Sequence, residues 1–199
     1  MNTQSIEEFC RTQPLTFMNV KNKIAEEKLH LPSFAESFYG YLTVYDRLPT
    51  QNEYMMHYRF ANGFKLNKII PNDNVWQGVL SRGRRAYPSF IRDLHFLHLM
   101  KEERLDVKYD LEDDKAGVDH TVNYRGERFY VHCYVDTKRS RMFRDKKNKR
   151  HKFNGYHVDV PMNMRGDDTL RIGDFFLYSK AHVYGLVRDM DKILSEDLR

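Results

Sequence analysis

The sequence predicts an α/β protein in which a helical N-terminal part precedes a core built on a mixed central sheet. Three observations predict it. Apolar residues recur at helical spacing through the first third of the chain and again after Tyr87. Apolar and polar residues alternate through residues 118–124 and 128–136, two runs joined at Arg125-Gly126. From residue 88 onward the elements follow in the order helix, strand, strand, strand, helix, strand, helix. The change of pattern near Tyr87 divides the chain into an N-terminal helical subdomain, residues 1–86, and an α/β core, residues 87–199.

In the first part, Pro32-Ser33 opens a helix over residues 34–45, with Phe34, Phe38, Tyr41, Leu42 and Tyr45 on one face. Asp46-Arg47-Leu48-Pro49 breaks it. Thr50-x-x-Glu53 is the signature of a capping box and starts a second helix, which Asn62-Gly63 closes. Two helices across a short turn are also the plan of a helix-turn-helix DNA reader. The second helix has Arg59 as its only Arg or Lys, so the spacing favours a helical hairpin whose aromatic stripe packs inward.

In the core, Pro88-Ser89 precedes Phe90, Ile91, Leu94, Leu97, Leu99 and Met100, an amphipathic helix running to about Glu103. Residues 105–109 read as a short strand, and Glu112-Asp113-Asp114 as an acidic turn. After the two alternating runs, residues 138–152 are polar and basic, with helical character expected in their first half. Residues 156–160 form a further strand ended by Pro161. Residues 175–198 read as a closing helix carrying Tyr184, Leu186, Val187, Met190, Ile193 and Leu194.

A chain of 199 residues, 41% hydrophobic and 14% aromatic, can bury a proper core. Its net charge of +5 favours an acidic partner. Cys10 and Cys133 stand far apart, which argues against a disulfide framework and for a reducing compartment. There is no apolar run of membrane-spanning length and no signal-peptide shape at the N-terminus. A cytoplasmic location and no membrane partner are expected.

The element order, together with Gly117-Val118-Asp119 on the first long strand and Asp136-Thr137-Lys138 ending the second, resembles the restriction-endonuclease-like fold of the PD-(D/E)XK nuclease superfamily. The resemblance covers about residues 88–160. It implies an αβββαβ core with catalytic acids on the second and third strands. Asp119 and Asp136 would then hold Mg²⁺ or Mn²⁺, which lowers the pKa of an attacking water, and Lys138 would orient that water.

Strand geometry conditions that assignment. If Arg125 and Gly126 are the central residues of a tight hairpin, Asp119 faces His132. Asp119, Thr121 and Asn123 then share a polar face with Tyr130, His132, Tyr134 and Asp136, while Val118, Val122, Phe129, Val131, Cys133 and Val135 take the apolar face. Asp136 lies four residues past His132, roughly 13 Å along the strand. Two carboxylates must approach to about 4–5 Å to share one Mg²⁺. A bulge or a longer loop would bring Asp136 into register. A tight turn makes His132 and Tyr134 the residues in the catalytic slot.

The run Lys138-Arg139-Ser140-Arg141-Met142-Phe143-Arg144-Asp145-Lys146-Lys147-Asn148-Lys149-Arg150-His151-Lys152 carries nine cations and one acid. Such density suits a phosphate backbone, and Ser140, Phe143 and Tyr156 add hydrogen-bonding and stacking groups. Arg84 and Arg85 form a second basic patch. The function expected is metal-dependent hydrolysis of DNA phosphodiesters. The alternative is a catalytically inactive nuclease-fold module that binds nucleic acid or an acidic protein partner, in a phage, mobile-element or defence setting. DNA is favoured over RNA, and a homodimer is compatible with either.

Overall fold

The computed structural model describes residues 1–18, 20–110, 117–137, 140 and 155–197. Contacts divide the chain into two compact units: Met1 and Thr3–Ile91 with Gly173–Phe175, and Asn2 and Arg92–Ile172 with Phe176–Arg199. The fold is mixed α/β with a four-stranded mixed sheet and several helices. No helix among the described residues is long and apolar enough to cross a membrane.

The first unit is helical: α1 (Thr3–Thr12), a π-helical turn (Ile24–Lys28), α2 (Phe34–Tyr45), α3 (Gln51–Ala61), α4 (Gly63–Ile69) and the first part of α5 (Asp73–Glu102). Ser33 caps α2 by accepting the Glu36 N–H at 3.1 Å. Asp46, in the left-handed region at φ 48°, ends it. Thr50 and Glu53 make the expected capping box on α3. Helices α2 and α3 form the expected hairpin, with Phe38, Tyr54, Tyr58 and Tyr87 fully buried. Phe34 stacks on Tyr58 with ring centroids 4.5 Å apart, and Tyr54 on Tyr87 at 5.7 Å. The aromatic stripe therefore builds a core. After Asn62 the chain resumes helix at Gly63.

Helix α5 corrects the expectation of a helix starting at Pro88: it begins at Asp73 and carries Pro88 in its interior. A proline has no N–H for the carbonyl four residues earlier, here that of Arg84. Buried Gln51 supplies the missing donor, with Nε2 3.0 Å from the Arg84 oxygen. Its Oε1 accepts the Thr16 N–H at 2.9 Å. One side-chain amide thus serves two backbone groups.

In the second unit the sheet order is β1 (Asp106–Lys108), β2 (His120–Tyr124), β3 (Glu127–Val135), β4 (Tyr156–Met162). The β1–β2 and β2–β3 pairs are antiparallel and β3–β4 is parallel. Arg125 and Gly126 both have positive φ, 51° and 89°, as the tight primed hairpin turn requires. The register follows: His120 faces Val131 and Tyr124 faces Glu127. Phe129, Val131, Val122, Val158, Val160 and Met162 supply the buried face. The opposite face is less open than alternation predicts, since Thr121 and Tyr130 are buried too.

Two boundaries differ from expectation. Strand β4 runs past Pro161 to Met162. The Met162 carbonyl accepts the Asp136 N–H at 2.7 Å, so Pro161, one residue earlier, turns its nitrogen away from β3, where no donor is required. Residues 175–198 are not one helix. Strand β5 (Leu170–Ile172) pairs with β6 (Phe175–Leu177), and only then does α6 (Lys180–Asp197) begin. The acidic turn at Glu112-Asp113-Asp114 and the helical character expected after Lys138 lie outside the described residues.

Candidate nucleic-acid interface

Antiparallel pairing puts the entry of β2 and the exit of β3 at one end of the sheet. Asp119 stands at that end, just after Gly117 with its positive φ of 89°. Its backbone N–H donates at 3.1 Å to the carbonyl of Val131, the residue that His120 faces, so Asp119 lies just outside the ladder, as at a bulge. The Asp119 carboxylate turns along β3 and accepts the Cys133 N–H at 2.6 Å, a short charge-assisted bond.

The tight register therefore applies. Asp136, four residues beyond His132, lies roughly 13 Å further along the strand direction. The structure does not bring Asp119 and Asp136 together, and this pair does not fit one shared Mg²⁺ or Mn²⁺. His132 and Tyr134 precede Asp136 on β3. Among the described residues no group of three or more His, Cys, Asp or Glu is arranged to hold a metal ion. Lys138, Arg139, Arg141, Arg144, Lys146, Lys147, Lys149 and Arg150 lie outside the described residues. The basic run is attached at Thr137, whose N–H donates to the Ser140 hydroxyl at 3.0 Å.

The His132 ring is fixed at both nitrogens. Nδ1 lies 3.0 Å from the Gly117 carbonyl, so it carries a proton, because a carbonyl only accepts. Nε2 lies 2.8 Å from His157 Nδ1 on the neighbouring parallel strand, and the two ring planes are parallel within 4°. With Nδ1 carrying the proton, His132 Nε2 is the acceptor of the His157 Nδ1–H, and His157 itself is exposed. The Tyr130 ring lies 5.3 Å from that of His157, and His132 faces Asp159 in the β3–β4 register. The parallel pairing thus supplies groups that hairpin reasoning alone did not include.

Beneath Asp119, α5 contributes Arg92 and Asp93. The Arg92 Nε is 3.5 Å from Asp93 Oδ1, and its guanidinium lies over the Tyr178 ring at 5.9 Å. Burial opposes the Arg92 charge, but Asp93, Tyr178, Cys133 and Asp119 together outweigh it and raise its pKa. The Cys133 thiol is pushed well up by burial, with Asp119 and Asp93 adding to the effect. A half-buried thiol held in its neutral form is a poor nucleophile. His120, on the same strand as Asp119, is buried and its pKa is pushed down to about 3 by desolvation. It is a neutral core histidine. His95, three residues before His98 on α5, is buried as well.

Arg84 and Arg85 belong to the helical unit, where both hold the fold. Arg84 donates to Asn52 Oδ1 at 3.1 Å. Arg85 pairs with Glu26 and donates to the Ser81 hydroxyl at 2.6 Å. Compared with family models, with curated proteins and with solved structures, the chain matches none.

Proposed function

We propose that this protein is a nucleic-acid-binding module on a restriction-endonuclease-like αβββαβ core, with DNA as the favoured ligand and the basic run 138–152 as the backbone contact. The observation that supports this reading most is the hairpin register. Asp119 enters β2 and Asp136-Thr137 leave β3 at the same end of the sheet, so the basic run starts several residues beyond the level of Asp119. Nine cations leaving that end would track phosphates, and the exposed His157 ring on β4 adds a group that can stack on a base. Asp119 serves in this reading as the acceptor that pins the strand end.

Fluorescence anisotropy with duplex DNA, single-stranded DNA and RNA across a salt series tests it. Binding should weaken steeply with salt, and replacing Arg139, Arg141 and Arg144 together by Ala should reduce the log–log slope by about 2–3. Absence of binding to every nucleic acid at low salt refutes the proposal. The second reading, Mg²⁺- or Mn²⁺-dependent cleavage, takes Asp119, whose carboxylate lies 2.6 Å from the Cys133 N–H at the entry of β2, as the metal-holding acid. Plasmid cleavage that is lost in Asp119→Ala and retained in Asp136→Ala would establish it.

A further inference from the structure

The helical unit carries a groove of about 730 Å³ between α3, α4 and the start of α5. Met56, Phe60, Leu66, Ile70, Pro71 and Trp76 supply its apolar lining. Its rim is unusually bare: Met56 is 72% exposed and Phe60 89%, and Phe64 beside it is 79% exposed. Hydrophobic side chains this open, clustered on two consecutive helices, mark an interaction site.

Charge identifies the occupant. Arg59 lines the groove, and Lys65 and Lys68 are exposed on α4, the helix that contributes Gly63, Leu66 and Asn67 to the lining; none of the three makes an ion pair with a carboxylate among the described residues. Two of them are parked on aromatic rings instead. Arg59 Cζ lies 5.3 Å from the Trp76 ring centroid, and Lys68 Nζ lies 3.9 Å from that of Phe64. Among the described residues that line the groove, Asp73 is the one carboxylate. Cations held by rings and lacking an acid are pre-positioned to meet a partner's carboxylates.

We infer that this groove docks an acidic amphipathic helix of a partner protein, with apolar side chains in the groove and Glu or Asp on the flanks. Helix-in-groove recognition uses anchors at i, i+3, i+4 and i+7 over such a surface, and an exposed Met adapts to their shape. Single-stranded nucleic acid suits the site less well. The cations already cover ring faces on which bases would stack, and the Met56, Leu66, Ile70 and Pro71 side chains offer no stacking plane. The inference stands apart from the nucleic-acid reading, because it concerns residues 56–76 and not the basic run.

Trp76 is the only tryptophan in the chain, so intrinsic fluorescence reports on the groove directly. The probe is a synthetic helix of about 18 residues with Leu and Phe anchors and Glu flanks, beside the same peptide with Lys flanks and an oligothymidine. The Glu peptide should shift the Trp76 emission saturably, and the Lys peptide should not. Phe60→Ser with Phe64→Ser should weaken the Glu peptide by about tenfold or more, and Lys65→Glu with Lys68→Glu should transfer the preference to the Lys peptide. Both pairs are exposed, so far-UV circular dichroism should be unchanged. No saturable shift with the Glu peptide overturns the inference. A stronger response to oligothymidine overturns it in favour of nucleic acid. A concentration-dependent shift without peptide, matched by a dimer in sedimentation, overturns it in favour of self-association.

Discussion

Gln51 is expected to be worth more than a surface amide because it substitutes for a backbone N–H. Changing Gln51→Leu keeps the volume but removes the donor to the Arg84 oxygen and the acceptor for the Thr16 N–H, bonds of 3.0 and 2.9 Å. The site is only 6% exposed. A buried carbonyl left without a donor costs about 1–3 kcal/mol, and the second bond adds ~0.5–1.5 kcal/mol, softened because Thr16 is exposed and can turn to water. The loss should total about 2–4 kcal/mol. Urea unfolding followed by circular dichroism measures it, with the slope m unchanged. The decisive arm is a double-mutant cycle with Pro88→Ala, which restores the helical donor to the same oxygen. In that background Gln51→Leu should cost less by ~1–2 kcal/mol. A neutral Gln51→Leu, or a cost unaffected by residue 88, would show that the carbonyl finds its partner elsewhere.

Three other outcomes follow from the structure. The His120 pKa lies at about 3 in the fold against about 6.5 when unfolded. The unfolded chain therefore takes up the proton first, and stability present above pH 6.5 is lost as pH falls towards 3, at up to ~1.4 kcal/mol per pH unit. Urea midpoints between pH 7 and 4 should show a shallower decline in His120→Phe than in the parent. Gly78→Ala should destabilise by about 1–3 kcal/mol despite its better helix propensity, because the new Cβ would run into the Cβ of Asn22 and lie 3.0 Å from that of Ala25. Gly185→Ala, in α6 with nothing within 4 Å of its Cβ, should instead raise the thermal midpoint, a gain of ~0.5–1 kcal/mol.

The parts of the fold readable in sequence are those encoded by neighbours. Thr50 and Glu53 cap α3 across three residues, and Arg125-Gly126 sets the β2–β3 register within one turn. Pro88 misled because its compensation comes from Gln51, 37 positions earlier in the chain. Strands β5 and β6 have three residues each, too few for a period of two to stand out against an apolar helix. The candidate site divides in the same way. That His120 faces Val131, with Asp119 just beyond, follows from the turn, whereas the bond between His132 and His157 depends on a parallel pairing between strands that no turn connects.

The two outer strands of the four-stranded sheet limit how a partner can be recruited. Strand β1 has three residues, with charged Asp106 and Lys108 exposed on either side of Val107. On β4, Pro161 removes one outward donor, and an incoming strand would meet a gap there. Neither border is a good template for another chain's backbone, so recognition by strand addition is disfavoured, and with it edge-to-edge aggregation. Specificity then has to come from side chains, which makes it accessible to point substitution one residue at a time.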